Sequence, residues 1–407
     1  MSASTSSGAG ATAARGGFAV TSLVCGVFGL AGWAFGLWFF RGAPVQDWMV
    51  FYTAARAYFD GNLPLIFDGQ VLTAAINQRF AGWLTAPLGP HPWVYPPPFL
   101  LFLLPFGIAP PVLSAVLFIA AGFAAVMAAV WRYADRGIRR WPIVATLLLC
   151  PAVPFNVMTG QNAFYVAALL IAAFGAVASH PFLSGALIGL LSVKPQLCLA
   201  ALVALVAMRQ WRALAGAAAS ACLLAMASAL ILGLDIWRAW FGLAFGGNEL
   251  YRAWIEVGRL NGISVYACVS WLGAPGGVAS VVQATATLAA GGFVYWLYRQ
   301  PAPPATRLAG LLAATILAAP HASNSDAVLL GLAAAFFIAA IPARDLQPYQ
   351  LAAAAAVWIS PLFNPPVLFR VGCVTPVLVA ALLAVIAVAV RQRKTVEEAV
   401  AASLTAL

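Results

Sequence analysis

The sequence has 407 residues, of which 63% are hydrophobic and only 8% are charged. A soluble domain carries about 25% charged residues, so this composition excludes a large soluble core and predicts an all-α, polytopic membrane helical bundle in one continuous domain. Basic residues cluster at the ends of apolar runs and give a net charge of +10, which indicates contact with anionic membrane lipids and no nucleic-acid partner.

The first predicted element is a membrane helix, Gly17–Phe40, which follows a Ser-, Ala- and Gly-rich stretch, residues 1–16, that we predict to be disordered. The apolar run is long enough to cross a hydrocarbon core of ~30 Å. It is also too long for the core of a signal peptide, so we interpret it as a membrane helix.

Asp47 follows this span closely and lies among aromatic residues, including Trp48 and Tyr52. A carboxylate at the membrane rim is costly, which makes Asp47 a candidate functional residue. The alternative is an ordinary loop aspartate that caps a short helix.

A first external loop is predicted at residues 41–95. Within it, Asp47–Phe59 and Gln70–Phe80 have apolar residues at helical spacing, separated by Asp- and Gly-rich turns. We expect two short helices that lie on the membrane surface.

Apolar runs predict further membrane segments up to residue 392, with a second external stretch at residues 235–261 and a cytoplasmic tail at 393–407. Two runs are ambiguous, because Pro96–Pro111 is short and Pro-rich and Leu183–Met208 is interrupted by Lys194. Each is a re-entrant pair or one kinked span, so ten to thirteen helices are expected. The predicted segments are Pro96–Trp131, Pro142–Phe155, Ala163–Ala178, Leu183–Met208, Ala213–Leu234, Gly277–Tyr298, Leu308–Pro320, Ala327–Ile341, Leu351–Leu362 and Val374–Val390.

The basic clusters predict the orientation, because Lys and Arg are enriched in cytoplasmic loops. With these clusters inside, both termini are cytoplasmic and the unusual polar residues converge on the external face. These residues are Asp47, Arg56, Tyr95, Gln161, Asn162, Lys194, Arg252, Arg259, His321, Asn324 and Asp326.

Five short motifs, in this order and spacing, resemble glycosyltransferase family 87, the polyprenyl-phosphate-mannose-dependent mannosyltransferases with the GT-C membrane fold. The resemblance covers roughly residues 18–390. The motifs are Asp47-Trp48-Met49-Val50-Phe51-Tyr52-Thr53-Ala54-Ala55-Arg56-Ala57, Tyr95-Pro96-Pro97-Pro98-Phe99, Gly160-Gln161-Asn162, Ser192-Val193-Lys194-Pro195-Gln196 with Trp211-Arg212 downstream, and Pro320-His321-Ala322-Ser323-Asn324-Ser325-Asp326.

The resemblance implies a GT-C hexosyltransferase of the bacterial inner membrane, with its active site facing the periplasm or exterior. A hexose, with mannose expected, would move from a polyprenyl-phosphate sugar to a glycan or glycolipid. Asp47 is the candidate general base for the acceptor hydroxyl, and cations or hydrogen-bond donors must stabilise the departing phosphate. No Asp-x-Asp pair occurs, so we expect no metal and no other cofactor.

The candidates for binding the donor phosphate or sugar have structural alternatives. Arg56 can extend to lipid headgroups, Gln161 and Asn162 can form a turn and helix N-cap, and Asp326 can stabilise a helix N-terminus. We predict that Lys194, an ammonium in an apolar run, pairs with the donor phosphate. The full set is Lys194, His321, Arg56, Gln161, Asn162, Tyr95, Asn324, Asp326, Arg252 and Arg259.

Some of these candidates are weaker on sequence grounds. His321 can be a capping residue, and Arg252 and Arg259 can belong to a solvated loop. His91, between two prolines, is interpreted as a loop residue.

Two other classes of membrane protein fit part of the pattern. Lys194 is also compatible with a transporter or lipid flippase. Transporters often contain internal repeats, and no repeat is evident between the halves of the chain. A lipid-linked-glycan ligase accommodates arginines in a large second external stretch.

Overall fold

In a computed structural model, the described residues are 6–134, 138, 140–245, 262–364 and 374–405, with side chains described in 22–134, 138, 140–243, 262–364 and 374–395. Within these ranges the chain forms eighteen α-helices and no strand, apart from one isolated bridge between Gly262 and Ser323. The predicted all-α membrane bundle is therefore confirmed. The helices are α1 (Ser6–Phe39), α2 (Gln46–Phe59), α3 (Gly69–Arg79), α4 (Pro97–Ile108), α5 (Pro111–Ala134), α6 (Arg140–Leu149), α7 (Ala152–Thr159), α8 (Ala163–Ala176), α9 (Pro181–Gly189), α10 (Leu199–Ala207), α11 (Trp211–Leu232), α12 (Leu234–Phe245), α13 (Val265–Trp271), α14 (Gly276–Arg299), α15 (Pro304–Ala318), α16 (Val328–Ala339), α17 (Pro348–Ile359) and α18 (Thr375–Thr405).

Five helices in the described ranges are long and apolar enough to cross a membrane, and α6 with α7, bent by 54°, is either a sixth, broken span or a re-entrant loop. Shorter apolar helices pack among them. The five long spans are Ser22–Gly42, Pro111–Ala134, Trp211–Leu232, Gly276–Arg299 and Thr375–Thr395.

Several boundaries differ from the sequence-based expectation. Helix α1 begins at Ser6, inside the stretch expected to be disordered. The predicted segment Pro96–Trp131 is two helices, because Pro111 disfavours a helical conformation at the residue before it. Helix α5 alone has 24 residues, whereas α4 has 12 and reaches only about 18 Å, too short for a bilayer.

The predicted break at Lys194 is present. Short 3-10 turns at Leu190–Val193 and Pro195–Leu197 separate α9 from α10, and Lys194 itself is non-helical, with φ −143° and ψ 68°. Each flanking helix has nine residues, so neither crosses a bilayer alone. The break therefore lies within the bundle.

Both helices predicted in the first external loop are present, and α2 is packed inside the protein. Residues 48–55 of α2 are all buried. Phe51 packs edge-on against Phe99 of α4 and Tyr95, with ring centroids 4.9 and 5.3 Å apart. These aromatic contacts help to hold the buried part of α2 inside the protein.

Helices α9 and α11 approach closely because glycines face the partner backbone. A side chain at Gly185 would collide with the carbonyl of Ala213, and one at Gly216 would collide with the carbonyl of Phe182. Small residues that allow close backbone approach are typical of helix pairs in membranes.

Candidate active site

Residues that are distant in sequence line one polar cavity of about 360 Å³. Five parts of the chain meet at this cavity. They are the first turn of α2, the segment before α4, the start of α8, the break between α9 and α10, and the loop after α15. The sequence-predicted site residues that line this polar cavity are Asp47, Tyr95, Gln161, Lys194, His321 and Asp326.

The chain before α2 turns sharply to bring Asp47 to the cavity. Val45 has a φ of 51°, a conformation that is an outlier for a β-branched residue, and its N–H donates to the carbonyl of Met158 at 2.6 Å. Gly160, at φ 70°, packs so closely on Trp48 that a Cβ would collide. The end of α7 and the start of α2 therefore fix each other.

The Asp47 carboxyl combines burial with polar neighbours. Burial raises its pKa above the usual range, and His91, Gln161, Lys194 and Thr159 lower it in part, with His91 the strongest of these. A carboxylate with a raised pKa is a stronger base, as a general base near neutral pH requires.

Tyr95 and Gln161 form a hydrogen-bonded pair next to Asp47. The Tyr95 hydroxyl donates to Gln161 Oε1 at 3.2 Å, and a Gln161 hydrogen bond in turn lowers the Asp47 pKa. Burial, with the nearby Asp47 and Asp326 charges, raises the Tyr95 pKa well above its usual range. Tyr95 therefore stays a neutral hydrogen-bond donor.

Lys194 has a partner within the protein, which corrects the expectation of an isolated ammonium. Its Nζ lies 2.6 Å from Asp326 Oδ1 and donates to Asn162 Oδ1 at 3.4 Å, and the Lys194 and Asp326 side chains are 7% and 2% exposed. Asp326 Oδ2 also accepts from the N–H of Ser323 at 2.9 Å. Asp326 thus joins the lysine to the loop that carries His321.

The loop after α15 is fixed from several sides. The N–H of Ile263 donates to the carbonyl of Ala322 at 2.8 Å, and Asn364 Nδ2 donates to Asn324 Oδ1 at 3.0 Å. His321, an exposed residue at the cavity wall, faces Tyr266 with ring centroids 6.3 Å apart, and partial desolvation by the surrounding protein lowers its pKa. A neutral imidazole is therefore held at the cavity wall.

Some predicted site residues lie elsewhere. Arg56 does not line the polar cavity; it pairs with Asp60 at 2.6 Å near the other end of α2. Asn324 lies behind the cavity wall, on Asn364, and Asn162 reaches the site through Lys194. Arg252 and Arg259 lie outside the described residues.

Sequence reasoning missed His91, Trp240 and Tyr266, which line the polar cavity. His91 is one of only three histidines in the chain, and this rarity is the one signal that could have drawn attention to it. In the described residues, no group of three His, Cys, Asp or Glu side chains is arranged to hold a metal ion.

An apolar groove of about 400 Å³ meets the polar cavity at Val193, which lines both. Its walls include Phe99, Phe102 and Leu191, and it extends along α8 from Asn162 to Ala172, which corresponds to about 15 Å. Asn162 Nδ2, at the junction, is buried and has no hydrogen-bond partner among the described residues. An unpaired buried amide is costly and favours a polar ligand at this point.

The comparisons with known proteins point to one family. A model of glycosyltransferase family 87 matches residues 93–320, more than half of the chain. No curated protein and no solved structure gives a significant match. Asp47, His321 and Asp326 lie outside the matched residues, so the interpretation of these three depends on their geometry.

Proposed function

The chain belongs to glycosyltransferase family 87, and we propose that this membrane glycosyltransferase transfers a hexose from a polyprenyl-phosphate sugar. Mannose is the hexose that we propose. The acceptor is a hydroxyl of a glycan or glycolipid, and Asp47 is the general base. The reaction takes place at the external membrane face.

The junction between the polar cavity and the apolar groove carries this proposal. A polyprenyl-phosphate sugar has an apolar chain, an anionic phosphate and a polar sugar in that order. The groove along α8, the pair Lys194 and Asn162, and the cavity that contains Asp47 follow one another in the same order. The donor therefore fits with its chain in the groove and its sugar beside Asp47.

Lys194 has the capacity to bind the phosphate despite its ion pair. An ammonium has three N–H donors, and among the described residues Asp326 and Asn162 accept two of them. The third is available to a phosphate oxygen, and Asn162 Nδ2 provides another donor nearby. His321, whose pKa is lowered by partial desolvation, can donate one further hydrogen bond.

The proposed step is a single displacement at the anomeric carbon. Asp47 takes the proton of the acceptor hydroxyl while its oxygen forms the new bond to the anomeric carbon. The bond from that carbon to the phosphate oxygen breaks, and its electron pair leaves with the polyprenyl phosphate. Lys194, Asn162 and His321 stabilise the charge that develops on the leaving phosphate.

Two alternative functions, a transporter or lipid flippase and a lipid-linked-glycan ligase, have less support. Membership of a glycosyltransferase family weighs against a transporter or flippase. The ligase alternative depends on arginines of the second external stretch, and of these Arg252 and Arg259 lie outside the described residues. Arg238 is exposed and paired with Asp235, away from the polar cavity.

Asp47→Asn tests the proposal in purified protein with a labelled polyprenyl-phosphate mannose and a membrane glycolipid extract as acceptor. We expect transfer to fall by ~10²–10⁴-fold, as for other positioned bases, with donor binding retained. Asp235→Asn is the matched control, because Asp235 is 91% exposed, and it should leave transfer unchanged. Near wild-type transfer by Asp47→Asn would exclude Asp47 as the base.

A further inference from the structure

Helix α3 holds the segment before α4 in a defined position. Asn77 Nδ2 donates to the carbonyl of Leu88 at 3.1 Å, and the N–H of Leu88 donates back to Asn77 Oδ1 at 2.8 Å. One turn earlier in α3, Thr73 Oγ1 accepts from the N–H of His91 at 3.0 Å. Two side chains of α3 thus fix residues 88–91 with three hydrogen bonds.

The contacts of His91 also define which ring nitrogen carries the proton. Nδ1 lies 2.7 Å from the carbonyl oxygen of Gly89, and a carbonyl only accepts, so Nδ1 is the donor. In the neutral imidazole, Nε2 then has a free lone pair. The half-buried ring lines the polar cavity together with Asp47, so the lone pair belongs to a group placed to accept a proton.

His91 is also the strongest electrostatic neighbour of Asp47. In its protonated form, the imidazolium, it lowers the pKa of that carboxyl more than Lys194 does, so a proton on His91 favours the ionised form of Asp47, and Lys194 is engaged with Asp326. The titratable side chains of the described residues that line the polar cavity are Asp47, His91, Tyr95, Lys194, Tyr266, His321 and Asp326. Of these, His91 has both an imidazole in the accepting tautomer and a place in an external loop.

The proposed reaction leaves a proton on Asp47 that must depart before the next turnover. Asp47 and His91 are both half-buried and line the same polar cavity, so a neighbouring imidazole offers this proton a path to bulk water. His91 directly follows residues 81–90, most of which are exposed.

We propose that His91 receives the proton that Asp47 takes from the acceptor hydroxyl and passes it to solvent. The proton moves from the Asp47 carboxyl to His91 Nε2, which restores the carboxylate and forms an imidazolium; the imidazolium then loses a proton to water. His91 acts through Asp47 and does not touch the reacting carbon. The proposal rests on the proposed function, because it requires Asp47 to be the base.

Chemical rescue tests this role. His91→Ala should lower kcat by about tenfold or more, within the range for assisted proton transfer, with little change in KM for donor or acceptor. Added imidazole should restore much of the lost kcat. His180→Ala removes an exposed histidine at the start of α9, and its kcat should be unchanged and insensitive to imidazole.

A second variant separates proton transfer from support of the loop. Asn77→Ala removes two of the three hydrogen bonds that hold residues 88–91 but keeps the imidazole, so its smaller loss of kcat should not respond to imidazole. A loss in His91→Ala that imidazole does not relieve, or a rise in KM without a fall in kcat, would overturn the proposal.

The double variant distinguishes failure of this proposal from failure of the proposed function. If His91 acts through Asp47, Asp47→Asn with His91→Ala should be no slower than Asp47→Asn alone. An inactive Asp47→Asn with a fully active His91→Ala would overturn only the role of His91. A fully active Asp47→Asn would overturn Asp47 as the base, and the role of His91 with it.

Discussion

At the scale of single residues, the ion pair between Lys194 and Asp326 adds a structural role to the phosphate-binding role that we propose for the lysine. Removing one member of a buried pair leaves an uncompensated charge and typically costs about 3–5 kcal/mol of stability. A simple loss of activity in Lys194→Ala would therefore be ambiguous. The lysine must be tested together with its partner.

Lys194→Met should lower the thermal stability of the purified protein and also weaken donor binding. In the double variant with Asp326→Leu, both charges are absent, so stability should largely return while donor binding stays weak. Melting temperature and binding of a polyprenyl-phosphate analogue measure the two effects. Wild-type donor binding by the double variant would show that Lys194 has only a structural role.

The raised pKa of Asp47 predicts the acid side of the pH profile. A base must be ionised, so kcat/KM should fall as pH decreases through its pKa. Because burial raises that pKa, the fall should occur above the value of about 3.9 for an ordinary aspartate. The pH dependence of kcat/KM measures this directly; a flat profile down to pH 4 would contradict the assignment.

Much of the site could be predicted from sequence, because rare polar residues in an apolar chain stand out. Asp47, Lys194 and His321 were identified in this way, and all line the polar cavity. The partner of Lys194 and the role of His91 could not be identified. Asp326 is 132 residues from Lys194 and Thr73 is 18 residues from His91, so both contacts depend on tertiary packing.

At the scale of elements, apolar periodicity located helices better than it located their surroundings. The break at Lys194 was predicted because a charge followed by proline interrupts an apolar run. The burial of α2 was not predicted, because aromatic residues at helical spacing are typical of helices on a membrane surface and of helices in a protein interior. Likewise, α4 and α5 are both apolar, so hydropathy alone does not separate them.

The close approach of α9 and α11 makes a prediction about stability. Gly185→Leu should lower the melting temperature markedly, because its side chain would collide with the Ala213 carbonyl and backbone atoms cannot move aside cheaply. Gly292→Leu in α14 is the control, since a Cβ there meets nothing within 4 Å. Equal melting temperatures for the two variants would show that the contact does not limit stability.

At the scale of the whole molecule, the helices give the protein two distinct ends. Helix α15 ends and α16 begins beside the polar cavity. Helix α16 has 12 residues and is therefore about 18 Å long, which places the loop after α16 at the opposite end of the molecule. Arg299 and Arg307 flank the turn at the start of α15, also away from the cavity. This arrangement supports an external cavity, because basic residues favour the cytoplasmic side.

Cysteine labelling checks the orientation in intact cells. In a variant without the native cysteines, Gly82→Cys in the exposed first loop should react with a membrane-impermeant maleimide. Ala343→Cys, exposed in the loop after α16, should react only after the membrane is permeabilised. The reverse pattern would place the active site in the cytoplasm.

The pairing of Lys194 with Asp326 also has a consequence for biosynthesis. At ~5–20 residues per second, the 132 residues between them take roughly 7–26 s to translate. During this interval the nascent chain carries the Lys194 ammonium without the carboxylate that later neutralises it. Because an unpaired charge inside a bilayer is costly, we expect Lys194 to stay hydrated until Asp326 has been synthesised, so the segment around the break between α9 and α10 should reach its final position late in biosynthesis.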